Sequence, residues 1–503
     1  MKDTHADWRL PLSAQSQWEE FEEIVRNGQA LFFDGTAPIA GARAPGRLDV
    51  MGGVADYSGS LVLEMPIAEA AFVAWQWRED RQLRIRSMSL QSEGLSPDVI
   101  VSLDDMLDLD GKVLSVEEVS KRLTGNSESR WAAYIAGCYY IMLAAYTKVS
   151  DGGRVDTRLG ELGANVLLKS DVPLGAGLSS SAAIEVAAMH ALSMAAGIHP
   201  SDMTLAAWCQ RVENAIVGAP CGIMDQVASA LGQENAVIVL RCQPHDLLGL
   251  QSVPPGWKFT GIDSRVKHSV GGSRYTNARV GAFMGLKVIQ LESGGKLLEN
   301  YLCRMSPDEF ADYRELIPAE ITGQEFTDRF GRLPDTVTRV EMEAIYHPRA
   351  CAEHPILENY RVHQFAALMQ IAELRKGERP IEQSQSLAGI AEDRELLQQA
   401  GSLMYESHAS YGDRLDLGSP ETDMLVSLVR EQGAAKGLYG AKITGGGAGG
   451  TVAILSDAGS VEAAVALKWV CNEYERRTGV EPRVFAGSSP GAVAFGGKQI
   501  LRG

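Results

Sequence analysis

The chain has little of what marks disulfide-rich, zinc-binding or membrane-spanning proteins. Its 503 residues include only 7 cysteines, which are scattered, odd in number and free of CxxC pairs. This usage favours reduced thiols over a disulfide framework or a zinc site. No apolar run approaches the roughly 20 residues that a membrane-spanning helix needs. The segment Met1–Ala14 has no basic-then-apolar signal pattern, so the sequence predicts a cytoplasmic protein without a membrane partner.

Basic residues are scarce relative to acidic ones. The chain carries 47 Lys and Arg against 64 Asp and Glu, a formal net charge of −17, which argues against general nucleic-acid binding. A small phosphate-bearing ligand is not excluded, because helix N-termini can offset phosphate charge locally. With 45% hydrophobic and 22% charged residues, the composition is that of a globular chain long enough for more than one lobe.

The stretch Ser170–Ala183 is rich in Gly and Ser and lies between two predicted regular elements. The apolar run Val166–Leu168 before it predicts a strand, and Ala182–Ala196 after it has apolar residues at helical spacing. Gly197 and Pro200 predict the end of that helix. The stretch is therefore predicted to be a loop that leads from a strand into a helix N-terminus.

A loop of this kind suits an anionic ligand. The first turn of a helix has unpaired N–H groups and the positive end of the helix dipole, while glycines let the backbone approach a phosphate. The alternative is an ordinary Ser N-cap after a flexible loop. A Walker A loop is excluded, because no Gly-Lys-Ser/Thr follows. The candidate phosphate-binding residues are Gly175, Ala176, Gly177, Leu178, Ser179, Ser180 and Ser181.

Three further segments carry turn-forming or chemically useful residues. Segment 42–67 places Pro45-Gly46 and Gly52-Gly53 as turn formers between short apolar strands. Segment 218–229 contains Asp225, which taken alone would be read as a helix cap. Segment 440–454 permits positive φ angles and tight backbone packing at its three consecutive glycines, Gly445, Gly446 and Gly447.

These segments resemble the motifs of one enzyme family, in the family's order. Pro-x-Gly-x-Gly-Leu-Ser-Ser-Ser-Ala, from Pro173, resembles the ATP-binding motif of the GHMP kinases, small-molecule kinases that include galactokinase and mevalonate kinase. Segment 42–67 resembles the galactokinase signature, except that Gly53 and Val54 replace a Glu and a His. Pro-Cys-Gly-Ile-Met-Asp-Gln, which ends at Gln226, and segment 440–454 resemble further galactokinase motifs. The resemblance covers residues 42–454, most of the chain.

The resemblance implies an α+β fold, the two-lobed GHMP kinase fold with its active site in the cleft between the lobes. The N-terminal lobe, expected over residues 1–244, would resemble ribosomal protein S5 domain 2. A C-terminal α/β lobe is expected over 245–503, with a helical insertion at about 285–400. Within it, the charged, Gln-rich stretch Gly377–Ala400 shows no clear pattern.

The resemblance also implies roles for single residues. Asp225 would accept or orient the proton of a sugar hydroxyl, and Arg47 would orient Asp225 and stabilise charge on the transferred phosphoryl group. ATP would bind the Gly-Ser loop, and Trp131 would lie against the adenine, the alternative being a core aromatic. Ser181 and Glu213 would hold Mg²⁺ through oxygen ligands. The expected sugar-site residues are Asp56, Gly53, Val54, Gly222 and Tyr275.

The two replaced residues bear on the sugar. In galactokinases the Glu and His at the positions of Gly53 and Val54 lie toward the C6 hydroxymethyl group, and L-arabinopyranose is galactopyranose without C6. Segment 42–67 also resembles the kinase domain of L-arabinokinases, so the expected activity is ATP-dependent 1-phosphorylation of L-arabinose. The alternatives are a galactokinase and a non-catalytic sugar sensor. The expected partners are a sugar and ATP, in a monomer or homodimer.

Overall fold

A computed structural model of the chain describes residues 11–28, 32–35, 37–90, 95–147, 158–266, 273–295, 301–378 and 387–501. Within these ranges the chain forms an α+β structure built on two main sheets and a small two-stranded one. The predicted mixed fold class is therefore confirmed. None of the helices in the described ranges combines the length and the apolar character that a bilayer-crossing segment needs.

The first sheet contains eight strands in the described ranges. Its main path runs β14-β1-β2-β5-β3-β4, and β6 pairs with both β2 and β7. All of its pairs are antiparallel except β3 with β5. Its strands are β1 (Ile39–Met51), β2 (Leu61–Arg78), β3 (Gln82–Ser87), β4 (Asp98–Ser102), β5 (Gly163–Ser170), β6 (Ala236–Arg241), β7 (Asp246–Ser252) and β14 (Lys498–Ile500).

The second sheet has four antiparallel strands in the order β11-β12-β8-β13. These strands are β8 (Trp257–Asp263), β11 (Leu438–Ile443), β12 (Thr451–Asp457) and β13 (Arg483–Ala486). The stretches 236–240, 259–262, 451–455 and 483–486 lie in β6, β8, β12 and β13. A short hairpin of β9 (Ile321–Thr322) and β10 (Ile345–Tyr346) lies apart from both sheets.

Helices cover the sheets and fill the region between β8 and β11. They are α1 (Ala14–Glu23), α2 (Val116–Thr124), α3 (Ala133–Thr147), α4 (Ser180–Ala196), α5 (Asp202–Arg211), α6 (Met224–Leu231), α7 (Ser273–Glu292), α8 (Pro307–Arg314), α9 (Gly323–Phe330), α10 (Pro348–Glu378), α11 (Leu387–Leu415), α12 (Pro420–Gln432), α13 (Val461–Thr478) and α14 (Ala492–Phe495). The main core lies between the first sheet and α3–α6, where Trp75 stacks on Tyr139 at 6.3 Å.

Pro45-Gly46 is not a turn, contrary to the sequence-based expectation. Both residues lie inside the 13-residue strand β1, where the pairing with β2 shifts register between Pro45 and Arg47. A register shift of this kind tolerates a proline, which has no N–H to donate to the ladder. A Cβ at Gly46 would lie 2.6 Å from the Leu178 carbonyl oxygen, so the glycine lets β1 approach the Gly-Ser loop. The predicted turn at Gly52-Gly53 is present and ends β1.

The sheets divide the chain differently from the expected boundary at 244/245. That boundary falls inside the β6–β7 hairpin, and β7 stays in the first sheet. The last described strand, β14, also returns to this sheet beside β1. The second sheet begins at Trp257. The sheet to which a strand belongs is decided by the strand it pairs with and not by its position in the chain, because its backbone N–H and C=O groups need hydrogen-bond partners.

Two helical regions have features that their local sequence does not indicate. The stretch 204–217 is divided between α5 and a π-helical segment, Val212–Val217, which carries Glu213. Such π segments are rare overall but are frequent at functional sites. The stretch 377–400, which shows no clear sequence pattern, is helical throughout its described part, at the end of α10 and the start of α11.

Candidate active site

Two cavities meet at the Gly-Ser loop. The larger, about 1020 Å³, is bordered by the loop and by Trp131, Tyr134 and Ile184. The smaller, about 70 Å³, lies on the other side of the loop. Four residues line both cavities, so groups bound in the two spaces would meet there: Gly175, Ser180, Ser181 and Glu213. Predicted residues that line the smaller cavity are Arg47, Val54, Asp56, Gly177, Leu178, Ser179, Gly222, Asp225, Tyr275, Gly445 and Gly446.

The Gly-Ser loop adopts a backbone that few residues other than glycine accept. Gly175 and Gly177 have φ angles of 72° and 73°, and Ser179 has a φ of 56°. The loop connects β5 to the N-terminus of α4, which begins at Ser180 and ends at Ala196, with the predicted Gly197 as its C-cap. The Ser179 hydroxyl is buried and has no hydrogen-bond partner among the described residues. The unpaired hydroxyl and the helix N-terminus together give the smaller cavity donors for an anion.

The glycine-rich segment 440–454 packs directly on this loop. A Cβ at Gly445 would lie 2.8 Å from the Gly177 carbonyl oxygen, and a Cβ at Gly450 would lie 2.7 Å from that of Ala176. The Thr451 hydroxyl donates to the Ala176 carbonyl at 2.8 Å. Gly447 lines neither cavity and packs against Leu417 and Tyr411. The segment therefore supports the loop by close backbone contact.

Arg47 and Asp225 form an ion pair at the wall of the smaller cavity. Asp225 Oδ1 accepts from Arg47 Nε at 2.9 Å and Nη2 at 2.7 Å, and Glu64 lies 3.1 Å from Arg47 Nε. Arg47 Nη1 also donates to the Gly177 carbonyl at 2.7 Å. Burial lowers the pKa of Arg47, but the carboxylates of Asp225 and Glu64 outweigh it and raise the pKa above its ordinary value. The guanidinium is therefore a permanent cation that ties Asp225 to the loop.

Asp56 and Gly222 face each other across the same cavity. A Cβ at Gly222 would overlap the Asp56 carboxylate, so this position accepts only glycine while Asp56 stays in place. Asp56 Oδ1 is buried without a hydrogen-bond partner among the described residues. A buried unpaired acceptor is costly, and a ligand hydroxyl would satisfy it. Tyr275, at the start of α7, completes this side of the cavity.

Of the two residues that depart from the galactokinase signature, one lines the smaller cavity and the other does not. Val54 lines the smaller cavity with a φ of 57°, a conformation that costs a β-branched residue about 1–3 kcal/mol. Gly53 does not line it, and a Cβ there would overlap Tyr411 Oη and Asp49 Oδ2. Asp49 is itself buried in an ion pair with Lys442, 2.8 Å from Asp49 Oδ2 to Nζ.

Glu213 lies at the junction of the two cavities. Its carboxylate accepts from Gln226 Nε2 at 2.7 Å and from the side chain of Ser181. Burial, reinforced by the charge of Asp225, raises the pKa of Glu213 to about 7. In the part of the chain that the structure describes, no three His, Cys, Asp or Glu side chains converge as a metal site. Glu213 and Ser181 could therefore offer a hard cation two oxygen ligands, the rest coming from a bound phosphate.

Trp131 borders the larger cavity, where its ring is half-buried. Its indole N–H donates to the Ser96 carbonyl at 2.9 Å, which fixes the ring in place. Three arginines that sequence reasoning missed also line this cavity: Arg130, Arg265 and Arg483. Arg130 directly precedes Trp131, whereas Arg265 and Arg483 lie far from it in the chain.

Sequence reasoning also missed a buried ion pair behind the smaller cavity. Arg279 Nε and Nη2 donate to the two Asp335 oxygens, each at 3.0 Å, and Arg279 Nη1 donates to the Pro220 carbonyl at 3.3 Å. Arg279 also lies over the Tyr57 ring, 5.2 Å from its centroid. Its spacing of four residues from Tyr275 on one helix was an available signal. Asp335 had none, since it lies in the expected insertion.

Binding of a ligand hydroxyl at Asp56 is expected to weaken in acid. Burial, then the charge of Asp225, raises the pKa of Asp56 to about 6, so the carboxylate becomes protonated below that pH. The protonated group loses acceptor capacity for ligand hydroxyls. We expect the KM for a substrate that binds through Asp56 to rise up to about tenfold between pH 7 and pH 5. Steady-state kinetics test this, with Asp56→Asn as the control; a flat wild-type KM for that substrate would contradict it.

Comparison with known proteins finds two family domains. The family model "GHMP kinases N terminal domain" matches residues 139–233, and "GHMP kinases C terminal" matches residues 391–475. The chain carries both GHMP kinase domains. It has the fold of the Lactococcus lactis galactokinase complexed with galactose, with a TM-score of 0.69, 21% identity and coverage of 93% of this chain and 98% of that one.

Two curated relatives are named for different sugars. The Arabidopsis thaliana L-arabinokinase is 37% identical, and the match covers 96% of this chain but only 49% of that protein. The Chloroflexus aggregans galactokinase is 29% identical, with 88% of this chain and 90% of that protein covered. The chain thus spans about half the length of the first relative and most of the second.

Proposed function

We propose that this chain is an ATP-dependent sugar kinase that phosphorylates the anomeric hydroxyl of L-arabinose, giving β-L-arabinose 1-phosphate and ADP. ATP would occupy the larger cavity and the sugar the smaller one. The shared lining residues at the Gly-Ser loop support this arrangement, because the γ-phosphate must reach the sugar there. Phosphoryl transfer depends on positioning and on neutralising charge more than on covalent chemistry.

Asp225 is the residue best placed to receive the proton of the sugar hydroxyl. Its side chain is 19% exposed while that of its partner Arg47 is 3% exposed, so the carboxylate is reachable from the cavity. As the anomeric oxygen bonds to the γ-phosphorus, the bond from that phosphorus to the β–γ bridging oxygen breaks. ADP leaves with the bond electrons and the proton goes to Asp225. Arg47 stabilises the charge on the transferred group.

The donor set at the junction fits a magnesium ion. Glu213 and Ser181 would hold Mg²⁺, which when bound would neutralise phosphate charge on ATP. The raised pKa of Glu213, about 7, reflects a buried carboxyl beside another carboxylate, a setting in which a divalent cation would favour the ionised form.

The observation that carries the choice of sugar is the apolar Val54 at the wall of the smaller cavity. A hexose would bring a C6 hydroxyl toward this segment, where Val54 and Gly53 offer no polar side chain. An unsatisfied buried hydroxyl costs about 1–3 kcal/mol, so kcat/KM for L-arabinose should exceed that for D-galactose by about 5- to 150-fold. D-galactose is the second candidate, supported by the galactokinase relatives and by the retained Asp56, Gly222 and Tyr275.

Coupled ADP release with a panel of L-arabinose, D-galactose, D-fucose and D-galacturonate tests the proposal. Preference for L-arabinose supports it, and Val54→His should then reduce that preference by about tenfold by restoring a polar group, while Val54→Leu retains it. Preference for D-galactose in the wild type would make the chain a galactokinase. No turnover with any sugar would favour a non-catalytic sugar sensor.

A further inference from the structure

The turn Gly52–Val54 is held from behind by helix α10, which lines neither cavity. Glu358 Oε1 accepts from the Gly52 backbone N–H at 3.1 Å. His354 Nε2 lies 3.1 Å from the Gly53 carbonyl oxygen. Both side chains are fully buried. Helix α10 thus binds the backbone N–H of Gly52 through Glu358 and the backbone carbonyl of Gly53 through His354. The next residue, Val54, lines the smaller cavity.

The hydrogen bonds of His354 define its protonation state. Burial lowers the pKa of His354 to about 4, so the ring is neutral at pH 7. The Gly53 carbonyl can only accept, so the single ring proton must lie on Nε2. Nδ1 then accepts from the Ser410 hydroxyl at 2.9 Å, a residue of α11. The ring also meets Tyr411 edge-on, with centroids 5.5 Å apart. Helix α11 therefore completes the hydrogen bonding of the ring that binds the turn.

Glu358 is held as a fully partnered carboxylate. Its Oε1 also accepts from the Ser407 hydroxyl at 2.7 Å, and its Oε2 accepts from Arg361 Nε at 2.9 Å and Nη2 at 2.7 Å. Burial alone would raise the pKa of Glu358, but the charge of Arg361 outweighs it and lowers the pKa to about 2. The carboxylate is therefore ionised across the physiological range and stays bonded to Gly52.

These contacts account for the strained backbone of Val54. A β-branched residue with a φ of 57° persists only where the surrounding structure holds it. The hydrogen bonds from α10 to Gly52 and Gly53 fix the backbone on the N-terminal side of Val54, and they place Val54 at the cavity. Substitutions in α10 that release the turn should consequently alter how the sugar is bound, although neither His354 nor Glu358 lines the cavity.

We propose that His354 and Glu358 are positioning residues for the sugar subsite, and that two helices outside the cavity thereby set sugar affinity and selectivity through the Gly52–Val54 turn. This inference rests on the proposed function of the smaller cavity as the sugar site. It also gives α10, which lies in the expected insertion, and α11, which begins in it, a role in substrate recognition.

Two matched variants of His354 test the inference. His354→Gln can place a donor near the Nε2 position and keep the bond to Gly53, whereas His354→Asn can keep only the contact with Ser410. We expect the Asn variant to raise the sugar KM at least tenfold and to lower the ratio of kcat/KM for the pentose to kcat/KM for the hexose. The Gln variant should keep the sugar KM and this ratio close to their wild-type values. The KM for ATP should change less than twofold in either variant.

The outcomes separate positioning from a merely structural role. Equal sugar KM values for wild type and both folded variants would overturn the inference, as would parallel rises in the KM values for sugar and ATP that follow the loss of Tm. If the His354 variants do not fold, Ser410→Ala, which removes the hydrogen bond at His354 Nδ1, should raise the sugar KM about threefold; no rise would overturn the inference.

The wild-type panel distinguishes this failure from failure of the proposed function. If the wild type prefers D-galactose, the same variants are compared on D-galactose, and the inference stands or falls on that sugar KM. If the wild type phosphorylates none of the four sugars, the proposed function and this inference fall together.

Discussion

Asp225→Asn should lower kcat by about 10²- to 10⁴-fold, the usual contribution of a general base, with little change in the KM for either substrate. The amide keeps the size of the carboxylate but cannot take the proton of the sugar hydroxyl. The fold should survive, because Arg47 keeps its contact with Glu64 at 3.1 Å and its bond to the Gly177 carbonyl. Coupled ADP release at saturating ATP and sugar measures the effect.

The control for Asp225→Asn is thermal unfolding of the same preparation, which should give a Tm close to that of the wild type. A fall in kcat of less than about tenfold would contradict a base role. It would leave Asp225 as an electrostatic aid that orients the hydroxyl, with proton release to solvent. A loss of activity matched by a loss of Tm would point to misfolding instead.

Lys442→Met should destabilise the protein by about 3–5 kcal/mol, because it leaves the Asp49 carboxylate buried and unpaired. Both side chains are completely buried, with 2.8 Å between Lys442 Nζ and Asp49 Oδ2. Asp49 Oδ2 also accepts from Tyr411 Oη and from the Gly445 N–H, each at 3.4 Å, but these donors carry no charge, and Oδ1 has no hydrogen-bond partner within the described residues. Urea unfolding followed by fluorescence measures the change in the free energy of unfolding.

Two further variants serve as controls for the stability of Lys442→Met. Lys436→Met removes an exposed lysine close by in the chain and should change stability by less than about 0.5 kcal/mol. The double variant Asp49→Asn with Lys442→Met removes both charges and should recover much of the loss. A loss below about 1 kcal/mol in Lys442→Met alone would show that Asp49 does not depend on this partner.

Much of the candidate site could be predicted from the sequence, because its parts are short segments with strong local rules. A Gly-Ser loop between a strand and a helix has the predicted backbone, with φ angles of 72° and 73° at Gly175 and Gly177. Asp225, Arg47, Asp56 and Tyr275 lie in motifs that keep their order along the chain, and the structure brings all four to one cavity. Local sequence suffices where the chemistry needs a particular residue in a particular turn.

The exceptions have long-range causes. Pro45-Gly46 carries a turn signal yet lies in a long strand, because pairing with β2 and the approach of Leu178 override the local preference. The motif of segment 42–67 predicts that Gly53 faces the sugar. In the structure, the space beside Gly53 is filled by Tyr411, 358 positions further along the chain. Similarly, Asp335 and Arg483 reach the site from segments without any motif.

By itself, the sequence determined the loop between a strand and a helix that suits phosphate, which follows from backbone preferences within a few residues. Through their resemblance to the GHMP kinases, its motifs also predicted the α+β class and the candidate residues for phosphoryl transfer. Only the tertiary structure decided which lobe each strand joins, how the Gly52–Val54 turn is held, and which buried charges pair. These depend on contacts such as that between Gly53 and His354, 301 positions apart, and no local preference encodes a partner so distant.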